Sequence, residues 1–180
     1  MGYRDNEGSV VRAAGSEVRE GPERGLVLHK LLEEVLSGEA AADGVSLTGR
    51  ADELIREIGR EPTPDPSEGL SPSEIAGCVV RALALPEIAS LRSQLVHEFP
   101  VYSVSVDGGE ELVTAGVADA VALGPDGEVD AVIDWKSDVA PTLEVVEKYR
   151  TQLRAYLDAL NLGRGLIVFT TSGQVIPVSR

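Results

Sequence analysis

The hydrophobic pattern of this chain changes period once, near residue 94, and this change constrains the fold more than any other feature. Before it, apolar residues recur at spacings of three and four, as one side of an α-helix requires; the clearest case is Leu28, Leu31, Leu32, Val35 and Leu36. After it, segments rich in Val, Ile, Tyr and Phe alternate with polar residues, which is the period of a β-strand. Helices followed by strands predict an α+β fold.

The first half of the chain predicts three helices. The first contains the leucine stripe and ends at Gly38, the second covers roughly Thr48–Ile58, and the third covers Ile75–Leu85. Ser71 precedes the third helix and is followed three residues later by Glu74. This spacing predicts a capping box at the start of that helix.

The second half predicts strands on both sides of a long helix. Three strands, Gln94–Val106, Glu111–Leu123 and Glu128–Lys136, are separated by short glycine-containing turns and predict an antiparallel meander. Pro141–Leu160 carries leucines on one stripe and predicts an amphipathic helix, and two short strands follow it. We therefore expect a central mixed sheet flanked by helices, with a helical N-terminal part.

The length of the chain favours one domain, because 180 residues can bury one substantial core. Residues 1–22 combine glycine and charge without periodicity, which predicts a flexible lead or linker. We assign residues 23–180 to the domain, with 23–92 mainly helical and 93–180 containing the sheet and the long helix.

Composition restricts the location and the cofactors that we expect. No apolar run is long enough to cross a membrane, and the first residues lack the apolar core of a secretory signal, so we expect a cytoplasmic protein. Cys78 is the single cysteine, which excludes an internal disulfide and a four-thiolate iron–sulfur cluster.

The charge of the chain is unevenly distributed. The net charge is −14, although proteins that bind nucleic acids usually carry a basic surface. Residues 100–135 contain eight acidic residues and no basic one, whereas residues 136–180 contain six basic and four acidic residues. This arrangement favours a carboxylate cluster for a metal beside a basic track for phosphate. Alternatively, the acidic residues only keep the surface soluble.

Two aspartates and a lysine share one face of the predicted meander. If the turn at residues 124–127 joins its strands without a bulge, Asp119 lies opposite Val132, and Asp134 is its diagonal neighbour. Lys136 follows Asp134 by two and lies on the same face. Ala118, Ala120, Ala122, Ile133 and Trp135 are predicted on the other face, against helices. Paired carboxylates of this kind suit Mg²⁺ or Mn²⁺, with a nearby ammonium to assist the chemistry.

Taken alone, the Asp-x-Lys pattern is weak evidence for catalysis. Short acidic and basic motifs arise by chance, and isolated carboxylates on strands are usually solvated or paired with a cation. His29, between the leucines of the first helix, would by itself be read as a structural histidine.

Five motifs occur in an order that resembles one family. They are RGLVLHKLLEE (24–34), HEFPV (97–101), GVAD (116–119), DWK (134–136) and YRTQLRAY (149–156). Across roughly residues 24–170 the chain resembles the RecB-family nuclease domain of the PD-(D/E)XK superfamily, most closely the C-terminal nuclease domains of RecB, AddA and UvrD-like helicases. The resemblance implies a restriction-endonuclease-like fold.

The resemblance also implies roles for the residues of the motifs. In the implied site His29, Asp119, Asp134 and the backbone carbonyl of Trp135 hold Mg²⁺ or Mn²⁺, and Lys136 is the catalytic lysine. The chain has Val-Ala-Asp where the superfamily name has Pro-Asp, but Gly-x-x-Asp is common in the RecB-type branch.

Further motif residues have less specific roles. Glu98 matches an acidic position at the edge of the site, which we count with the catalytic residues; an ion-pair role is nearly as plausible. Gln152 and Tyr156 match a QxxxY pattern on the helix behind the lysine, and with Tyr149 they are our candidates for DNA contact. Glu33 either orients His29 or lies on the helix surface, and His97 is interpreted as structural.

The function implied is divalent-metal-dependent hydrolysis of DNA, as an exonuclease acting on single strands or duplex ends in DNA repair or recombination. The chain contains no GxxxxGK[ST] motif, so we expect a helicase motor in the same longer chain or complex. One alternative is a nuclease fold without activity that binds DNA ends or assembles a complex. An unrelated metal hydrolase or oxygenase would require more histidines than His29 and His97.

Overall fold

The structure, a computed structural model, describes residues 18–107 and 110–180. The elements of these residues, in chain order, are α1 (Pro22–Ser37), α2 (Gly44–Glu57), α3 (Pro72–Ala84), α4 (Pro86–Ala89), β1 (Leu95–Asp107), β2 (Glu110–Leu123), β3 (Val129–Lys136), α5 (Leu143–Leu160), β4 (Gly165–Phe169) and β5 (Gln174–Val178).

Local signals explain where the helices begin and end. Asp43 accepts hydrogen bonds from two backbone N–H groups in the first turn of α2, which therefore starts four residues before the predicted Thr48. Gly38 ends α1 with a left-handed φ of 83°. The predicted capping box at Ser71 is wrong, because its hydroxyl bonds to the carbonyl of Pro64 and caps no N–H group of α3.

The five strands form one mixed sheet in the order β1-β2-β3-β4-β5. The first three strands are antiparallel neighbours, and the last two form an antiparallel hairpin. β4 runs parallel to β3, which α5 permits by crossing from one end of the sheet to the other. The predicted α+β fold, with its three-strand meander, is therefore confirmed.

Two hydrophobic cores cover the two faces of the sheet. Helices α1, α2 and α3 pack on one face, where Trp135 is 2% exposed and lies in the core, as predicted. Helix α5 covers the other face with Leu153 and Leu157, both fully buried. The rim where these two layers meet carries the candidate site.

The register of β2 against β3 differs from the prediction. A β-bulge next to the turn shifts the pairing, so that Ala120 lies opposite Ile133. One step further along, Asp119 is level with Asp134, and its predicted pairing with Val132 is wrong. The shift amounts to two residues, and side chains alternate with a period of two, so the two aspartates remain on one face.

The alternation of faces is interrupted at the level of Asp119. Ala118 was predicted to lie on the same side as Ala120, but it belongs to the core under α5. The neighbouring strand shows the same change, since Leu95 lies in the core of the N-terminal helices and Val101 lies in the core under α5. Both strands therefore change sides where the candidate site is formed.

Most of the predicted flexible lead, residues 1–22, lies outside the described residues, which begin at Val18. Within its last part, the Glu20 carboxylate accepts hydrogen bonds from the N–H groups of Val139 and Ala140. Among the helices that the structure describes, none is both long and apolar enough for a membrane crossing.

Candidate active site

Asp119 and Asp134 lie next to each other on β2 and β3. The backbone N–H of Trp135, on β3, donates a 2.8 Å hydrogen bond to Oδ2 of Asp119, on β2. The Asp119 side chain is therefore the acceptor for a backbone N–H group of the neighbouring strand. Asp134 is only 6% exposed. The backbone pairing of two central strands thus fixes the two carboxylates side by side, with little freedom to separate.

Helix α1 brings His29 to the same carboxylates. The neighbouring Leu28 and Leu32 are buried in the core, and His29 remains half-exposed on the side of α1 that faces β2. Its Nδ1 lies 3.5 Å from Oδ1 of Asp119. The structure therefore brings together three of the four predicted metal ligands; the fourth, the carbonyl of Trp135, belongs to the residue after Asp134.

Lys136 completes the group from the end of β3. Its Nζ lies 2.9 Å from Oδ2 of Asp134 and 4.3 Å from the centre of the Tyr149 ring on α5. The hydroxyl of Tyr149 is 3.0 and 3.1 Å from the two carboxylate oxygens of Asp138, which fixes the ring. With a side chain 14% exposed, the ammonium is held between a carboxylate and an aromatic face.

The charges of the site influence one another. Burial and the Asp119 carboxylate raise the pKa of Asp134 to about 6, although the Lys136 ammonium acts in the opposite direction. Burial also disfavours ionised Asp119, but the His29 ring, the Trp135 N–H and Lys136 outweigh it and lower the pKa of Asp119. Burial opposes the charged form of His29, yet the Asp119 carboxylate raises the pKa of this ring.

The donor atoms of this site fit a divalent cation. Oδ2 of Asp134 is buried and has no hydrogen-bond partner among the described residues, because the Lys136 ammonium is close but not aligned for a hydrogen bond. Two adjacent carboxylates also repel each other until a cation neutralises them. Carboxylate oxygens are the preferred ligands of Mg²⁺ and Mn²⁺, and the His29 nitrogen extends the set towards transition metals.

The profile described as the PD-(D/E)XK nuclease superfamily matches residues 3–173. The chain belongs to the PD-(D/E)XK nuclease superfamily. Nucleases of this superfamily generally use divalent metal ions, in agreement with the donor set, and the mixed five-stranded sheet is consistent with their restriction-endonuclease-like fold.

The chain is similar to a solved structure at low sequence identity. The solved structure described as "Crystal structure of SSO0001" is similar at 22% sequence identity, covering 87% of this chain and 76% of that chain, with a TM-score of 0.42. No curated protein matches the chain.

Glu98 lies at the edge of the candidate site, on β1. It has an unusual left-handed backbone with a φ of 48°, and its side chain is exposed. With His29, Glu33 and Asp119 it lines a pocket of about 150 Å³ between α1 and the sheet. The structure thus places Glu98 on the wall of a pocket that is also lined by His29, Asp119 and Trp135 of the proposed metal site.

The three α5 residues predicted to contact DNA have different surroundings. Gln152 is exposed, whereas Tyr149 is engaged with Lys136. The Tyr156 hydroxyl donates a 3.3 Å hydrogen bond to the carbonyl of Val117 and so ties α5 to β2. A Cβ on Gly116 would lie 2.7 Å from that hydroxyl, which explains why a glycine begins the Gly-Val-Ala-Asp motif.

Arg24 is a buried residue near the site that the sequence interpretation missed. Its guanidinium contacts both carboxylate oxygens of Glu74, at 2.6 and 3.1 Å, and donates to the carbonyl of Ser137 at 2.7 Å and to Thr171 at 2.9 Å. It thereby joins the start of α1 to the residue after Lys136. The available signal was its position on the leucine stripe, one turn before Leu28, where a charge requires buried partners.

We expect Arg24→Lys to lower the free energy of unfolding by about 1–2 kcal/mol, because an ammonium cannot reproduce the planar arrangement of these hydrogen bonds. Arg60→Lys is the matched control, since Arg60 is exposed and pairs only with Glu23 among the described residues. Its expected effect is below about 0.5 kcal/mol. Urea denaturation of both variants measures the difference, and equal stability of the two would contradict the role of Arg24.

Proposed function

We propose that this chain is a divalent-metal-dependent deoxyribonuclease that hydrolyses phosphodiester bonds. The observation that carries the proposal is the convergence of Asp119, Asp134 and Lys136 with His29 at one rim of the sheet. Superfamily membership supports a nuclease, and Oδ2 of Asp134, which is buried and accepts no hydrogen bond from the described residues, supports a cation at this point.

In this proposal His29, Asp119, Asp134 and the carbonyl of Trp135 hold Mg²⁺ or Mn²⁺. The ion supplies an electrophile for a phosphoryl oxygen and lowers the pKa of a bound water. The N–H of Trp135 keeps Asp119 oriented, and the low exposure of Asp134 excludes competing water from its carboxylate.

Lys136 is the proposed catalytic lysine. Its ammonium can donate hydrogen bonds to the attacking water or to a phosphate oxygen whose negative charge increases in the transition state. Packing against Tyr149 and the carboxylate of Asp134 restrict it to one side of the site, so it is positioned before substrate arrives. Glu98 is proposed to act from the pocket wall.

The assignment to the RecB-type branch of the superfamily rests on the five ordered motifs. We propose a RecB-type nuclease domain spanning residues 23–180, acting as an exonuclease on DNA ends, with a helicase motor in the same longer chain or complex and a role in repair or recombination. The net charge of −14 supports dependence on such a partner, because this chain alone has little general attraction for DNA.

Helix α5 is the proposed DNA-binding element beside the lysine. Gln152 is exposed one turn from Tyr149, and Lys148 and Arg154 are exposed on the same helix. Gln152 contacts the phosphate backbone or a base in this proposal, whereas Tyr149 and Tyr156 contribute through their ring edges while fixing Lys136 and α5.

The function is tested by incubating the purified chain with end-labelled linear DNA and with closed circular DNA. We expect cleavage with Mg²⁺ or Mn²⁺ and none with EDTA, and cleavage of linear DNA alone would support exonuclease action. Asp119→Asn should abolish the activity, and Asp130→Asn, on the exposed start of β3, is the matched control that should retain it.

Two outcomes would contradict the proposal. If the folded chain binds Mn²⁺ at Asp119 but cleaves neither DNA, with or without an added helicase partner, the fold serves DNA-end binding or assembly. If Asp119→Asn cleaves as fast as the control, the activity belongs to another site.

A further inference from the structure

Glu20 lies in the part of the chain that was predicted to be a flexible lead, yet it contacts residues 137–140, the segment that directly follows Lys136. Its Oε1 accepts hydrogen bonds from the backbone N–H groups of Val139, at 2.6 Å, and Ala140, at 3.1 Å. The partners are 119 and 120 residues apart in sequence, so these contacts form only in the folded domain. A carboxylate that accepts two N–H groups restricts the orientation of both, because such charge-assisted bonds are strong.

The chain around Glu20 is anchored by contacts of its own. The backbone N–H of Arg19 donates a 2.8 Å hydrogen bond to the carbonyl of Pro66, and its guanidinium donates to the carbonyl of Glu68 at 3.2 Å. Helix α1 begins at Pro22, two residues after Glu20. The Glu20 backbone is therefore held on both sides by contacts other than its own carboxylate, so it can support the 137–140 segment.

The 137–140 segment is held at its start as well. The carbonyl of Ser137 accepts hydrogen bonds from the Arg24 guanidinium, at 2.7 Å, and from the Thr171 hydroxyl, at 3.2 Å. Arg24 and Thr171 thus fix the first residue of the segment, and Glu20 fixes its end. Asp138 lies between the two fixed points, so its backbone has little freedom to move.

Asp138 connects this segment to the ammonium of Lys136. The Tyr149 hydroxyl donates to the Asp138 carboxylate, whose two oxygens lie 3.0 and 3.1 Å away, and the Tyr149 ring centre is 4.3 Å from Nζ of Lys136. Burial and the Asp138 carboxylate raise the pKa of Tyr149 to about 12, so the hydroxyl remains a donor at neutral pH. A displacement of Asp138 would therefore move the ring and change the surroundings of the ammonium.

We propose that Glu20 is a positioning residue for Lys136. By fixing two backbone N–H groups of the 137–140 segment, Glu20 keeps Asp138 in place, and Asp138 in turn holds the Tyr149 ring beside the ammonium. The expected effect on cleavage rests on the proposed function, whereas the effect on the Tyr149 ring does not. The unit needed for full activity then includes Glu20, which the sequence pattern assigned to the lead.

Replacing Glu20 tests this role in the full chain. Glu20→Ala should lower the single-turnover rate at saturating DNA by about tenfold, because a small displacement of a catalytic group can cost up to about 10²-fold. Glu20→Gln keeps an oxygen that can accept both N–H groups, and we expect it to lose less than about threefold. The KM for DNA and the affinity for Mn²⁺ should not change in either variant, since Glu20 is not among the proposed ligands.

Glu23→Ala is the matched control. It removes the same charge three residues along the chain, from a side chain that pairs with Arg60. We expect it to cleave DNA at the rate of the wild type. Equal losses in Glu20→Ala and Glu23→Ala would overturn the inference, and so would faster cleavage by Glu20→Ala, which would show that the lead obstructs the site.

NMR of the tyrosine rings tests the same role without DNA. The chain has four tyrosines, and Tyr149→Phe identifies the ring signals of Tyr149. In the metal-free protein these signals should shift in Glu20→Ala and stay close to the wild type in Glu20→Gln and Glu23→Ala. Unchanged Tyr149 signals in Glu20→Ala would overturn the inference whether or not the chain cleaves DNA. Shifted signals in a chain that does not cleave DNA would contradict only the proposed function.

A double-mutant cycle tests the route through the Tyr149 hydroxyl. Tyr149→Phe removes the hydroxyl that Asp138 holds, so adding Glu20→Ala to this variant should reduce cleavage by less than about twofold further. Two residues that act through one contact give such non-additive losses. If the two losses multiply instead, Glu20 does not act through Tyr149 and the inference is wrong.

Discussion

Replacing Lys136 with methionine is expected to reduce DNA cleavage by about 10³-fold while Mn²⁺ still binds. General acid–base assistance and stabilisation of transition-state charge by a single donor are each worth about 10²–10⁴-fold in rate. Methionine keeps most of the length of the side chain but removes the ammonium, which is the group that lies 4.3 Å from the centre of the Tyr149 ring. Cleavage of end-labelled DNA under single-turnover conditions measures the loss.

Binding of Mn²⁺ should be unchanged or tighter in Lys136→Met, because the ammonium 2.9 Å from Asp134 competes with a cation for that carboxylate. This separates a catalytic role from a role in metal binding. Lys148→Met removes the same charge from an exposed position on α5, and its expected loss is less than about tenfold, as for one phosphate contact. Comparable losses in the two variants would show that Lys136 contributes only general attraction for DNA.

Much of the candidate site could be predicted from the sequence, because side chains alternate between the two faces of a strand and an error of two residues in register does not change the face. The bulge near the turn moved the partner of Asp119 from Val132 to Asp134, yet a shift of two residues leaves Asp119 and Asp134 on one face, as predicted. The meander, the long helix and the location of Lys136 followed from periodicity alone. Bulges were not predictable, because the sequence of a turn does not specify whether the next pair is regular.

The remaining features depend on contacts between segments that are distant in sequence. Arg24 meets Glu74, Ser137 and Thr171 only after α1, α3 and the sheet have packed together. Glu98, on the wall of the pocket beside α1, has a left-handed conformation inside a strand, and propensity assigns that conformation to glycine or asparagine. The prediction that His29 is a metal ligand came from the family resemblance. Its position between leucines of a helix, considered alone, indicates a core residue.

Asp134→Asn is expected to abolish cleavage and, in the metal-free protein, to raise the free energy of unfolding by up to about 3 kcal/mol near pH 8. Burial and Asp119 raise the pKa of Asp134 from its ordinary 3.8 to about 6, so ionising this carboxylate costs more in the folded state than in the unfolded state. Its contribution to stability is therefore fully present below its unfolded pKa and is lost as the pH rises through about 6. Asparagine keeps the shape and removes the charge.

The same reasoning predicts that the two proteins have nearly equal stability near pH 4, where Asp134 of the folded wild type is protonated. The pKa of Asp119 is shifted in the opposite direction, to a lower value in the folded state. The ionised Asp119 carboxylate therefore stabilises the fold above its unfolded pKa, and this stabilisation is lost in both proteins as the pH falls through the lower folded pKa. Urea denaturation in EDTA at the two pH values measures the difference.

Saturating Mn²⁺ should make the wild type more stable than Asp134→Asn at the higher pH, because the wild type gains binding energy that the variant lacks. If Asp134→Asn is less stable than the wild type in EDTA near pH 8, the ion pair with Lys136 stabilises ionised Asp134 by more than burial destabilises it. In that case the metal-free site is not destabilised by its own carboxylates, and a cation is not needed to relieve it.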